Sequence, residues 1–183
     1  MKKLEIGTKE SIYIFILSLL YLVYGVLQFY NGLVGWMPYL GENLQIGVPV
    51  LGTYIPFAFP SIFSGLALFT VGALLLKGVY MRHQGDEKYC GYVFVGWAMA
   101  MLLMALNILV IIADILDTYY PLVWGETIEE GWSLAGDAWG IAPHLILGLL
   151  LTPFYTRMKD ILRELSPMKY RISLSKKEVR EWK

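Results

Sequence analysis

Cysteine and charge are both scarce in this chain. Of its 183 residues one is a cysteine, Cys90, and 16% are charged, whereas soluble domains carry about 25% charged residues. A single cysteine excludes an intrachain disulfide and any cysteine-held metal or iron–sulfur cluster. The phosphate-binding glycine loop, the His-Glu-x-x-His zinc motif, the Cys-x-x-Cys pair and the nucleophile elbow are also missing. The sequence therefore carries no signature of a soluble enzyme.

What the chain has instead is long apolar runs. Hydrophobic residues make up 57% of it, and the run from Gly91 to Ala113 contains no formal charge. With a rise of about 1.5 Å per residue, such a run crosses a hydrocarbon core of roughly 30 Å. A core helix of a soluble protein has one polar face, but this run has a single strongly polar side chain, Asn107. These features predict an integral membrane protein.

Four apolar runs predict an all-α, polytopic membrane protein built as a bundle of four transmembrane helices. The predicted spans cover residues 11–30, 57–80, 91–115 and 137–157, within a membrane domain of residues 1–165; a short basic tail, residues 166–183, follows. The first run exceeds the apolar core of a cleavable signal peptide, about 7–15 residues, and no small-residue cleavage site follows it. It is therefore interpreted as a retained span.

Glycine and proline mark the irregular parts of the predicted bundle. The connection from Asn31 to Pro60 is rich in both residues, so it is not expected to form a regular spanning helix. An aromatic-rich cap at the membrane interface is the favoured interpretation, and a re-entrant loop is the alternative. In the fourth span Asp137 is a predicted N-cap, Pro143 lies in the first two turns, and Pro153 predicts a kink.

The basic residues predict the orientation. All fifteen Lys and Arg lie before the first span, in the region from Lys77 to Lys88 where the second span ends and the third begins, or from Arg157 onward, and the other two connections contain none. The positive-inside rule therefore places both termini in the cytoplasm of a prokaryotic-type plasma membrane. Cys90 then faces the reducing side as an inert thiol. Acids interspersed in the basic tail indicate a solvated or headgroup-binding surface, not a nucleic-acid site.

A few polar side chains within the spans are the candidate site. Gln28, Asn107 and His144 each lie about 20–25 Å above the inner boundary at 1.5 Å per residue. Asp114 shares a helix face with Asn107, and Tyr24 shares one with Gln28. These five residues are the candidates for a ligand or proton site, with His144 foremost because its charge can change between pH 5 and 8. The alternative is that they only form hydrogen bonds between helices.

Small residues in the second span predict close helix packing. Ser61, Ser64, Gly65 and Gly72 lie largely along one stripe, which lets a neighbouring helix approach. No metal site is predicted, since the methionines of the third span are interpreted as packing residues. A haem held by two histidines is not expected, because only one of the two histidines, His144, lies in a span.

Two segments resemble a known family. LYLVYGVLQFYNG, residues 20–32, and SGLALFTVG, residues 64–72, resemble the DoxX/DoxD-like family of small four-helix membrane proteins. The resemblance covers about the first half of the chain, with Gln28 where that family commonly has lysine and Ser61 or Ser64 where it often has an acid. It implies an association with quinone-linked sulfur oxidation and membrane redox complexes, and thus quinone as a cofactor.

Three functional hypotheses follow. The first is a non-catalytic accessory subunit that binds partner helices, or a second copy of itself, through the small-residue stripe of the second span. The second is a small proton-coupled transporter or ligand-binding carrier that uses Gln28, Asn107 and His144. The third, with the least support, is a membrane enzyme in which Asp114 or His144 acts as acid or base.

Overall fold

Helices dominate the computed structural model, which describes residues 6–42, 44, 47–50, 53–56, 60–86, 88–125, 127, 131–133 and 142–165. The helices are α1 (Thr8–Trp36), α2 (Ile62–His83), α3 (Tyr89–Tyr119), α4 (Pro143–Leu151) and α5 (Tyr155–Leu165). Short 3-10 turns cover Pro38–Leu40, Tyr120–Trp124 and Thr152–Phe154. A two-stranded antiparallel hairpin, β1 (Gly47–Val50) with β2 (Thr53–Pro56), lies between α1 and α2 in the chain. The predicted N-cap Asp137 and the basic tail lie outside the described residues.

Consecutive helices pack side by side and run antiparallel. Along α1 and α2, Gly25 lies against Gly65, while Gly32 lies against Ile62, so residue numbers rise along one helix as they fall along the other. The α2–α3 and α3–α4 pairs are in contact, and α4 also touches α1. The hydroxyl of Tyr13 in α1 donates to the carbonyl of Leu150 in α4 at 2.9 Å. The described helices therefore enclose a common core.

In the part of the chain that the structure describes, three helices are long and apolar enough to cross a membrane. They are α1, α2, and α3 together with the turn that extends it to Trp124. Helix α1 exceeds the predicted span of residues 11–30 by three residues at its start and six at its end. Its last turns continue through Asn31 and Gly32 because Gly32 is buried against α2, where a side chain would collide with the backbone of Ile62.

The start of α2 is defined by a capping serine. Ser61 precedes the first helical residue, Ile62, and its Oγ accepts a hydrogen bond from the N–H of Ser64 at 3.2 Å. Serine is favoured at this position because its side chain satisfies an N–H group that has no partner within the helix. The second span was predicted to begin near residue 57; the described helix begins five residues later, and residues 57–59 lie outside the description.

The fourth apolar run is interrupted where the sequence predicts a kink. Helix α4 has nine residues, and a 3-10 turn around Pro153 separates it from α5. Proline has no N–H to offer the carbonyl four residues earlier, that of Leu149. The hydroxyl of Thr152 donates to that carbonyl at 2.7 Å, and the N–H of Tyr155 bonds to Thr152 instead of continuing the α-helical pattern.

Side chains from the neighbouring helices bind the carbonyls of Leu150 and Leu151, the two residues of α4 that follow Leu149. Tyr13 donates to Leu150 as described, and Nε1 of Trp97 in α3 donates to the carbonyl of Leu151 at 3.0 Å. In lipid no water is present to satisfy such groups, so a broken helix must find its partners within the protein. These bonds therefore hold the interrupted helix between α1 and α3.

Candidate functional site

The small-residue stripe of α2 lies directly against α1. A Cβ atom placed on Gly65 would come within 2.4 Å of the backbone nitrogen of Phe29, and one on Gly72 within 2.8 Å of the nitrogen of Leu22. In return, a Cβ on Gly25 would come within 2.5 Å of the nitrogen of Phe69. Because the two backbones are in contact, this stripe is covered by a helix of the same chain.

One buried hydrogen bond joins polar groups of α1 and α2. The hydroxyl of Ser64 donates to Oε1 of Gln28 at 2.8 Å, and the Gln28 side chain is fully buried, at 0% exposure. Within the described part of the chain, the Gln28 amide nitrogen has no hydrogen-bond partner. Ser64 therefore satisfies the oxygen of this amide, while the two N–H donors of its nitrogen remain in the bundle interior.

Asn107 of α3 lies at the height of this pair. In the α2–α3 contact Gly96 lies against Leu75. Eleven residues back along α2 is Ser64, and eleven residues forward along α3 is Asn107. Because the helices are antiparallel and have the same rise per residue, the two side chains lie at equal depth. Asn107 is buried, with 4% of its surface exposed.

His144 of α4 lies within one residue of the same depth. In the α3–α4 contact Gly148 lies against the side chain of Met104, so His144 corresponds in height to Ile108, the neighbour of Asn107. His144 is half-buried, and among the described residues its buried Nδ1 has no hydrogen-bond partner. We call Gln28, Ser64, Asn107 and His144 the polar layer.

Two of the predicted site residues lie outside this layer. Asp114 is half-buried, seven residues beyond Asn107 and so about 10 Å further along α3, where its backbone carbonyl accepts a hydrogen bond from Thr118. Tyr24 precedes Gln28 by one turn and packs, partly buried, against the hydrophobic core. Of the predicted packing residues, Gly65 and Gly72 contact α1, Ser61 caps α2, and Ser64 belongs to the polar layer.

Tyr21 and Asn31 are buried residues with polar groups that were not among the predicted candidates. Tyr21 is fully buried, and in the described ranges its hydroxyl has no hydrogen-bond partner. The amide of Asn31 binds the backbone of Leu44 twice, donating to its carbonyl at 3.0 Å and accepting from its N–H at 2.8 Å. Asn31 thereby fixes the connection that follows α1. Both lie on the Gln28 face, seven residues before it and three after it. The spacing assigns Tyr21 to this face from the sequence, and the same spacing could have found Asn31.

The layer consists of amides, one hydroxyl and one imidazole. Among the described residues, no three His, Cys, Asp or Glu side chains come together as metal ligands. The Ser64 hydroxyl donates to an amide oxygen, so no base activates it as a nucleophile. The arrangement can bind a polar molecule by hydrogen bonds or transfer a proton through His144.

Comparison with known proteins gives one match. The model of a family described as the MJ0565 integral membrane domain matches residues 6–160 of the chain. The chain belongs to the MJ0565 integral membrane domain family. The matched region contains the whole polar layer. Neither a curated protein nor a solved structure matches the chain.

Membership in the MJ0565 family confirms the predicted integral membrane protein, and the three long apolar helices support several crossings. The matched family is not the DoxX/DoxD-like one, so the likeness of residues 20–32 and 64–72 remains a resemblance. Lipid is therefore the solvent that surrounds the helices containing these buried polar groups.

Proposed function

We propose that this MJ0565-family protein crosses the plasma membrane four times, as a four-helix bundle with both termini in the cytoplasm. The hydrogen bonds that hold α4 between α1 and α3 support a fourth crossing. The distribution of all fifteen basic residues supports the orientation.

The orientation can be tested with single cysteines in a Cys90→Ser background. Thr127→Cys is expected to react with a membrane-impermeant maleimide in intact cells, and Lys176→Cys only after permeabilisation. Labelling of Lys176→Cys from outside intact cells would contradict the proposed topology.

We further propose that the polar layer binds a small polar ligand in the outer half of the membrane, as in a carrier. The observation that carries this proposal is the pair of buried groups without partners among the described residues, Nε2 of Gln28 and Nδ1 of His144. A buried polar group without a partner costs about 1–3 kcal/mol. A ligand that exchanges hydrogen bonds with these groups would remove that cost, whereas purely structural side chains are expected to bond to one another.

A quinone-linked accessory subunit is the second candidate. A quinone ring carries two carbonyl acceptors, and the Gln28 amide offers donors inside the bundle. A partner helix could not use the small-residue stripe of α2, because α1 covers it. The exposed face of α3 is the alternative docking surface, since Leu102, Leu109 and Leu116 follow one another at heptad spacing with 60–66% of their surfaces exposed.

Purification in nanodiscs followed by mass spectrometry of the extracted small molecules tests both candidates. A stoichiometric non-lipid molecule is expected with the wild-type chain and to be lost in Gln28→Leu. Ser18→Ala is the matched control, because Ser18 is equally buried in α1 but donates only to the backbone of Phe15, away from the layer.

The identity of the retained molecule separates the candidates. A quinone supports the accessory subunit, and any other polar molecule supports the carrier. If no such molecule is found, both candidates fail; a loss of stability in Gln28→Leu would then show that the layer is a helix-packing device, because that change removes the acceptor of the Ser64 hydroxyl. Proton coupling is tested with proteoliposomes containing a pH-sensitive dye, in which a pH gradient should dissipate more slowly with His144→Gln than with the wild type.

A further inference from the structure

A groove separate from the polar layer runs along the outside of α1 and α2. It has a volume of about 1100 Å³ and extends from Leu22 and Phe69 to Thr8 and His83. Its walls expose large side chains, including Ile12 at 56% and Tyr80 at 61%. The groove therefore opens on the surface that faces lipid.

The length of the groove matches one leaflet of the membrane. Each wall covers fifteen residues, and therefore fourteen steps along the helix, from Thr8 to Leu22 on α1 and from Phe69 to His83 on α2. At 1.5 Å per residue this is about 21 Å, which covers half of the roughly 30 Å hydrocarbon core and reaches the headgroup region. The end of the groove near the membrane centre lies where the two backbones meet, since Gly72 contacts Leu22 and Gly25 contacts Phe69.

The two ends of the groove differ in chemistry. The end at Leu22 and Phe69 is apolar, and the end beside the N-terminus of α1 is lined by Arg82 and His83. Lys77 also lines the groove, although its ammonium lies over the ring of Tyr92 in α3, 4.7 Å from the centroid. The mouth of the groove therefore presents donors and positive charge at headgroup depth.

The carboxylates described at this end do not neutralise the mouth directly. Glu10 forms an ion pair with Arg157 at 3.4 Å, and Asp86 accepts a hydrogen bond from the backbone of Lys88 at 2.9 Å. Neither residue lines the groove. Of the described residues at this end, an anionic group that enters the mouth therefore meets Arg82 before it meets Glu10 or Asp86.

We propose that this groove binds one anionic phospholipid, with its phosphate at Arg82 and His83 and its acyl chains between α1 and α2. Basic pockets between membrane helices on the cytoplasmic side are suited to anionic headgroups. The cationic mouth and the apolar remainder of the groove match the phosphate and the acyl chains of one such lipid.

Native mass spectrometry of the full chain tests the proposal, with phosphatidylglycerol and phosphatidylcholine of identical acyl chains as probes. Retention of phosphatidylglycerol is expected to exceed that of phosphatidylcholine. Arg82→Gln should weaken phosphatidylglycerol retention about five-fold. Lys88→Gln is the matched control, because it removes an exposed cation of the same turn that does not line the groove, and it should leave retention unchanged.

Two more variants separate lipid binding from general effects. Ile12→Trp fills the groove from its exposed wall and should reduce retention of both lipids, and Arg82→Lys should restore the preference lost in Arg82→Gln. Equal retention of the two lipids by the wild-type chain would overturn the proposal, as would unchanged retention in Arg82→Gln. A photo-crosslinking residue at Tyr80 should form an adduct with lipid, and a protein adduct there would identify a partner chain instead.

Discussion

The α1–α2 pair and the α3–α4 pair are held together in different ways. Between α1 and α2, glycines bring one backbone against the other, as at Gly65 and Phe29. Between α3 and α4 the contacts are made by side chains, those of Met104 against Gly148 and of Trp97 on the Leu151 carbonyl. A backbone cannot rotate aside as a side chain can, so the first pair has one geometry and the second can readjust. The polar layer combines both pairs, with Gln28 and Ser64 on the first and Asn107 and His144 on the second.

The largest effect is expected from Gly65→Val, which should separate α1 from α2. The new side chain meets backbone atoms, which cannot yield, so the free energy of unfolding in micelles should fall by about 3 kcal/mol. Gly91→Ala is the control, because, outside the local backbone of α3, no described atom lies within 4 Å of a Cβ at Gly91. That variant should be neutral or more stable, since alanine favours a helix over glycine. Equal stability of the two variants would contradict the backbone contact.

A smaller effect is expected from Trp97→Phe, which removes the donor that binds the Leu151 carbonyl. The loss should be about 1 kcal/mol, the net contribution of one hydrogen bond. Trp36→Phe serves as the control because Trp36 is 73% exposed and ends α1 away from this contact. If thermal denaturation finds the two variants equally stable, the bond to Leu151 does not hold α4.

The smallest effect is expected from Leu109→Ala on the exposed face of α3. If this face meets lipid, the change should stay within about 0.5 kcal/mol. Leu75→Ala, at a fully buried position of α2, should cost about 2–5 kcal/mol in the same assay. A large loss in Leu109→Ala, or a change in oligomeric state measured by light scattering, would show instead that α3 contacts another protein chain.

The sequence predicts the membrane class because hydropathy is a property of each segment by itself. It therefore found α1, α2 and α3, missed their ends by a few residues, and indicated a kink at Pro153. The ends depend on contacts that are not local. Helix α1 continues past residue 30 because Gly32 meets α2 and Asn31 binds Leu44. The constant rise per residue of a helix also predicted one depth for Gln28, Asn107 and His144, since height along a helix follows from residue number.

Partners across helices could not be read from the sequence. Serine at position 64 was interpreted as a small packing residue, yet its hydroxyl donates to Gln28. No sequence pattern marked Tyr13 and Trp97 as hydrogen-bond donors between helices, yet they bind the carbonyls of Leu150 and Leu151 beside the turn at Pro153. Composition and residue order alone thus determined that lipid surrounds the chain and which segments carry its charges, because the hydropathy and the charge of a segment depend only on its own residues. Which face meets which neighbour, and which amide nitrogen finds no partner among the described residues, was decided only by the register between helices.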